Sequence, residues 1–155
     1  MKIAVFSDSH GNVENMLAAV DDYRPDCIIH LGDKVEDADF IAAHCPRPAF
    51  HSVAGNCDYA PTVENAKLIE LEGVRIFLAH GHRHGVKLGL DSFLNSVYCS
   101  GASLGLFGHT HVPLCREFGS IQLFNPGSCG SFGRPTYGQI LIQNGSAFCK
   151  IVEIK

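Results

Sequence analysis

The chain alternates short apolar runs with polar clusters, and the runs follow two different periods. Ile3-Ala4-Val5-Phe6, Cys27-Ile28-Ile29 and residues 49–53 are apolar or β-leaning stretches bounded by polar residues, the pattern of strands buried on both faces. Between the first two, Val13, Met16, Leu17 and Val20 recur at helical spacing behind Asn12, a good capping residue, and Arg24-Pro25 closes the segment. Strand, helix and strand in this order predict a right-handed crossover joining parallel strands. A second short helix is predicted over residues 39–44, stopped by Pro46 and Pro48.

Further along, the punctuation changes. Glu72-Gly73, Gly119-Ser120 and Asn144-Gly145 each separate two β-leaning runs, which predicts hairpins pairing 67–71 with 74–79, 113–118 with 121–125, and 138–143 with 147–154. The sheet is expected to turn antiparallel here. Leu90, Phe93, Leu94 and Val97 predict a helix over 88–97, and 104–107 reads as a further strand. No repeat, low-complexity tract or linker interrupts the pattern. One layered α/β domain over residues 1–155 is expected, with a parallel half and a hairpin-rich half.

At 155 residues and 46% hydrophobic, the chain has enough material for one core and little for two. No apolar run approaches the ~18 residues of a membrane span, and the start of the chain reads as a strand, so a soluble cytoplasmic protein with no membrane partner is expected. Seven cysteines without a C-x-x-C pair encode neither a disulfide framework nor a zinc ribbon. A net charge of -4, with the 12 Lys and Arg scattered, argues against polymeric nucleic acid as a partner but leaves a single nucleotide open.

Histidine adds chemistry to this picture. There are nine, and several stand with carboxylates just past the apolar runs: Ser7-Asp8-Ser9-His10-Gly11, Gly32-Asp33, Ala54-Gly55-Asn56-Cys57-Asp58, His80-Gly81-His82 and Gly108-His109-Thr110-His111. Open α/β sheets keep their sites at such strand ends. Asp8 and His10, two positions apart, would project to one side of an extended backbone. The candidate ligands are Asp8, His10, Asp33, Asn56, His80, His109 and His111. Mixed imidazole and carboxylate suits borderline divalent metals such as manganese, iron, nickel or zinc, whereas oxygen alone would suit magnesium or calcium. Seven donors exceed the needs of one ion and fit two that share a carboxylate and a water. Two such ions bring about four positive charges, of which Asp8, Asp33 and a hydroxide cancel about three. The surplus would draw a phosphate ester, and bound water with a pKa lowered toward ~7 would supply hydroxide for in-line attack on phosphorus.

Taken singly, these residues have plainer readings. A strand-end Asp commonly caps a turn, Asn after Gly is turn chemistry, and His80 after an apolar run resembles a satisfied core residue. His109-x-His111 resists such a reading, because two imidazoles are costly to bury without partners. His30 is expected to be structural, His44, His51 and His84 to lie at the surface, Asp58 to support the site by hydrogen bonds, and Cys57 to be a passive loop thiol. Ser128, in the turn Asn125-Pro126-Gly127-Ser128, and Arg134 are secondary candidates for substrate contact. Loops 83–89 and 132–137, Phe132 included, are expected to wall the pocket.

The ordered set Asp8-x-His10, Gly32-Asp33, Gly55-Asn56-x-Asp58, His80 and Gly108-His109-x-His111 resembles the calcineurin-like metallophosphoesterases over nearly the whole chain. It is most similar to their small single-domain bacterial and archaeal phosphodiesterases, whose pattern also takes in Gly55-Asn56-Cys57-Asp58, Gly81-His82 and Asn125-Pro126-Gly127-Ser128. The resemblance implies a four-layer α-β-β-α sandwich with mixed sheets. It also implies a dinuclear metal-dependent phosphodiesterase that opens a P–O ester bond of a small phosphoester with a metal-bridging hydroxide. One ion would be held by Asp8, His10, Asp33 and His111 and the other by Asp33, Asn56, His80 and His109, with Asp33 the bridge. Manganese is the expected metal, with nickel, iron or zinc as alternatives. Many relatives carry His where this chain has Cys57, which points away from monoesters and toward diesters or activated esters. The implied catalytic residues are Asp33, His82 and His10, the proton donor being His82, His10 or a metal-bound water. Oligomeric state stays open, a homo-oligomer included. The rival readings are a non-catalytic scaffold, like the retromer subunit of similar layout, and a metal-storage or sensor protein.

Overall fold

The computed structural model describes residues 1–59, 62–131 and 133–155, so Phe132 lies outside the described residues. In chain order the first half runs β1 (Lys2–Phe6), α1 (Val13–Tyr23), β2 (Cys27–His30), α2 (Val35–His44) and β3 (Ala49–Ser52). The second half runs β4 (Ala66–Leu71), β5 (Val74–Ala79), a 3-10 turn at His82–His84, α3 (Asp91–Cys99), β6 (Leu104–Leu106), β7 (Leu114–Phe118), β8 (Ile121–Asn125), β9 (Thr136–Gln143) and β10 (Ser146–Glu153). Two five-stranded sheets result, in the orders β10-β9-β1-β2-β3 and β4-β5-β6-β8-β7.

Strand alternation explains the layering. In β1, Ile3 and Val5 face the second sheet, where they join Ile29, Leu31, Ile76, Leu78, Leu106 and Phe124 in the central core. Ala4 and Phe6 face the other way, onto Met16, Ala19 and Val20 of α1 and Ile41 of α2. On the far side, Phe93 and Val97 of α3 cover Leu123, Ile121 and Phe107. Both faces of the central strands are therefore covered, which is why their sequences are continuously apolar. The product is the four-layer α-β-β-α sandwich.

The antiparallel expectation for the second half holds only at its margins. Strands β5, β6 and β8 run parallel to one another, while β4 and β7 add antiparallel edges. The crossover through α3 returns the chain so that β6 lies parallel to β5. Helix α3 starts at Asp91, later than the pattern predicts, because Gly85 and Gly89 precede it in a hydrogen-bonded turn and Leu88 is left 97% exposed.

Helix α2 starts at Val35, earlier than the expected residue 39, and its N-cap residue Lys34 supplies no side-chain cap. The cap comes from far along the chain. Asp58 Oδ1 accepts the N–H groups of Lys34 and Val35, each at 2.8 Å, and Oδ2 accepts those of Asp33 at 3.0 Å and Gly55 at 2.7 Å. One carboxylate thereby satisfies four backbone donors and sits at the positive end of the helix dipole. Asp58→Ala leaves these donors without their acceptor. It is expected to cost about 2 kcal/mol or more of stability, read as a lowered urea midpoint with unchanged m-value.

Candidate metal centre

The strand ends of both sheets meet along one rim. Past β1 the chain turns at Asp8 (φ 54°) and His10 (φ 47°); past β2 at Asp33 (φ 60°); past β6 at His109 (φ 65°) and His111 (φ 60°). All five occupy the left-handed region, which costs ordinary residues about 1–2 kcal/mol each. Asp8 and His10 are therefore not in the extended conformation the sequence suggested. Their side chains converge because the backbone reverses at each of them.

Neighbouring groups hold the carboxylates in place. Asp8 Oδ2 accepts the Ser7 hydroxyl at 2.6 Å and the His109 N–H at 3.0 Å. Its Oδ1 is buried and accepts no hydrogen bond, although His111 Nε2 lies 3.1 Å away. Asp33 Oδ1 accepts the Cys57 N–H at 2.9 Å. Burial opposes charge on Asp33, but hydrogen bonds from His80 and Cys57 outweigh it and hold the carboxyl well below the usual range. Gly108 lies so close to Ser7 and Asp8 that a Cβ there would overlap both side chains.

His80 shows what this arrangement lacks. Its Nδ1 is 2.8 Å from the Leu31 carbonyl oxygen and so carries a proton. Nε2 then faces Asn56 Oδ1 at 3.2 Å, Asp33 Oδ2 at 3.4 Å and Asp8 Oδ1 at 3.9 Å. If Nε2 is unprotonated, its lone pair and three electron-rich oxygens in a buried space repel one another unless positive charge stands between them. Burial lowers the proton affinity of His80, yet Asp33 and Asp8 more than reverse this and raise it. A proton on Nε2 meets the need partly; a divalent cation meets it for the whole group. The donor set fits a borderline metal.

All seven sequence candidates come together. Asp8, His10 and His111 form one group whose donor atoms lie within 4.8 Å of one another, and Asp33, His80 and His109 form a second. Asn56 joins through its contact with His80. A third group, not foreseen in the sequence, links them: His10, Asp33 and Cys57. From the sequence Cys57 is expected to be a passive loop thiol. The His82 ring packs 5.4 Å from that of His80 and 6.1 Å from that of His109, with a buried and unpartnered Nδ1.

Other expectations need correcting. Ser128 does not face a substrate: its buried hydroxyl donates to the Asp8 carbonyl at 2.8 Å. Asn125 Nδ2 donates to the Gly108 carbonyl and to Thr110, so the 125–128 turn braces both ligand loops from beneath. Arg134 is exposed. His84 is half-buried, edge-on to Phe77 and Phe93, because the 3-10 turn folds it back over the helical layer. His51, in β3, is also half-buried, while His44 is exposed and stacks on Phe40.

His30 is structural in a specific way. Fully buried, it accepts the Gly32 N–H at Nδ1 (3.2 Å), so Nε2 carries the proton toward Ser9 Oγ (3.1 Å). Ser9 in turn donates to Asp37 Oδ2 at 2.7 Å, which also takes the Gly11 N–H at 2.7 Å. This relay pins the Asp8–His10 loop to α2.

The sequence profile of the calcineurin-like phosphoesterase superfamily domain matches residues 1–145. A probable metallophosphoesterase of Mycoplasma pneumoniae is 32% identical over 82% of this chain and 78% of its own length. A phosphodiesterase of Methanocaldococcus jannaschii is 25% identical over 89% of this chain and 91% of its own. The zinc complex of Vps29 from Entamoeba histolytica, 20% identical, superposes over the whole of both chains with a TM-score of 0.76, a likeness of fold.

Burial lowers the pKa of His30 from 6.5 to about 4, overcoming the nearby Asp37 and Asp8 charges. Below its unfolded pKa the unfolded chain binds the proton first, so this contribution to stability is intact above pH 6.5 and lost progressively down to about pH 4. His30→Gln in the metal-free protein is expected to flatten the fall in urea midpoint across that window; an equally steep fall contradicts the assignment.

Proposed function

The chain belongs to the calcineurin-like phosphoesterase superfamily, a family of metal-dependent phosphoric ester hydrolases, and from that premise we propose that it is a dinuclear phosphodiesterase acting on a small phosphoester. The observation that carries this reading is the convergence of donors on one buried point: Asp8 Oδ1, buried without a hydrogen-bond partner, lies 3.1 Å from His111 Nε2 and 3.9 Å from His80 Nε2, which in turn faces Asp33 Oδ2 and Asn56 Oδ1. Asp8, His10, Asp33 and His111 would hold one divalent ion and Asp33, Asn56, His80 and His109 the other, manganese being among those that suit the set. The two ions would supply a shared hydroxide at neutral pH and neutralise charge on the phosphoryl oxygens.

The protein's own residues do the rest. Asp33, fixed by the Cys57 N–H and by Asp58 beneath its backbone, sets the spacing between the two ligand groups. The Ser7 and His109 contacts lock Asp8 in its ligating rotamer. His82, packed against His80 and His109, is the imidazole placed to hydrogen-bond the leaving oxygen and deliver its proton. The phosphate's negative charge would raise the proton affinity that burial lowers in His82. With Cys57 standing where many relatives have His, no second imidazole assists a monoester, so diesters are the preferred substrates.

Hydrolysis of bis(p-nitrophenyl) phosphate with added manganese is expected to exceed that of p-nitrophenyl phosphate. Asp33→Asn is expected to lower kcat/KM by about 10³ or more while the circular dichroism spectrum is retained. Calorimetry separates the rivals: metal binding without turnover favours storage or sensing, and neither binding nor turnover favours a scaffold. A monoester as the much better substrate would sink the diester assignment.

A further inference from the structure

Two cysteines, Cys115 and Cys149, stand on edge strands of opposite sheets. β7 ends the order of the second sheet and β10 that of the first, so each pairs with a neighbour on one side only. The two strands lie against each other across the sandwich, with Cα atoms within 8 Å. Strand alternation turns both cysteines into that gap. Cys115 stands opposite Phe124, a central-core residue, in the β7–β8 register, and Cys149 packs against the same core with Ala147 and Ile151. One side chain spans the space between the sulfurs. Gln122 of β8 donates from Nε2 to Cys115 Sγ at 3.4 Å, and its Oε1 accepts the Cys149 S–H, also at 3.4 Å. The sulfurs thus touch the two ends of a single amide and stand no more than about 9 Å apart.

We propose that Cys115 and Cys149 are a reversible oxidation site, a dithiol that hydrogen peroxide converts to a disulfide clasping the free edges of the two sheets. Gln122 sorts the two thiols. Its N–H favours negative charge on the exposed Cys115, while Cys149 keeps its proton toward Oε1 and burial pushes that thiol up to about 12. Cys115 therefore reacts first. Its sulfur bonds to one peroxide oxygen, the O–O bond breaks, and the other oxygen leaves as water with the Cys115 proton, giving a sulfenic acid. The Gln122 side chain then swings aside on its flexible bonds. The Cys149 sulfur attacks that of Cys115, the S–O bond breaks, and hydroxide leaves as water with the Cys149 proton. The two sulfurs give up two electrons in all, and the peroxide is reduced to two waters. A disulfide needs Cα atoms about 4.4–6.8 Å apart. Edge strands held along one side, already within 8 Å of each other, reach that range by a small inward shift.

Equimolar hydrogen peroxide, followed by blocking of free thiols with iodoacetamide and peptide mapping by mass spectrometry, tests the pair. The wild type is expected to yield one internal cross-link, Cys115 to Cys149, with two fewer titratable thiols and full reversal by dithiothreitol. The bridge closes a loop of roughly 35 residues, so the oxidised protein is expected to melt about 5 °C or more above the reduced one. Cys149→Ser is expected to stop at a dimedone-reactive sulfenic acid on Cys115 and to gain nothing in melting temperature. Cys115 and Cys149 recovered on separate peptides, or a Cys115 bridge to any other cysteine, overturns the proposal; a cross-link that fails to raise the melting temperature overturns the clasp. The cross-link and its reversal are read in the wild type, so a variant that misfolds does not remove the test. Hydrolysis of bis(p-nitrophenyl) phosphate by the reduced protein bears on the metal centre alone.

Discussion

The structure depends on one electrostatic constraint: lone pairs that the fold forces together and the protein pairs only in part. Asp8 and Asp33 come from neighbouring parallel strand ends, and His80 from the opposite sheet, with its other nitrogen committed to the Leu31 carbonyl. Positive charge at the centre relieves the crowding at once. A pocket of this kind weakens the empty fold and strengthens the loaded one, since a cation that binds only the native state stabilises it by mass action.

Such a pocket requires a rigid frame, and the sandwich provides one. The central core fills the space between the sheets with branched aliphatic side chains, so the ends of β1, β2 and β5 cannot shift independently. The rim above is strained instead. Its left-handed turns occur at chemically committed residues, where glycine would adopt the backbone more easily but would offer no donor atom. Glycine appears where bulk is the obstacle: at Gly108 against Ser7 and Asp8, and at Gly55 against Asp33.

Beneath the rim, buried polar groups hold the strained loops in place. Asp58 gathers Asp33, Lys34, Val35 and Gly55; Asp37 gathers Ser9 and Gly11; Ser128 and Asn125 secure the carbonyls of Asp8 and Gly108. Each makes hydrogen bonds that go mostly to the backbone, which lets polar residues sit under a metal centre without the penalty of unpaired burial. They also couple the site to stability, because loosening any brace frees a ligand loop.

What the sequence determined by itself was whatever local periodicity and residue type encode. Helix α1 follows from Asn12 and an i, i+3, i+4, i+7 stripe, the hairpins from their Gly-containing turns, and the ligand set from donors recurring after apolar runs. What only the tertiary structure decided lies in contacts between segments distant in the chain. The early start of α2 comes from Asp58, the bracing role of Ser128 from the loop it lies beneath, and the position of Cys57 beside His10 and Asp33 from three strand ends meeting at one rim of the first sheet. The left-handed geometry of Asp8 and His10 belongs with these. Local propensity disfavours it, and only packing around those loops holds the backbone there.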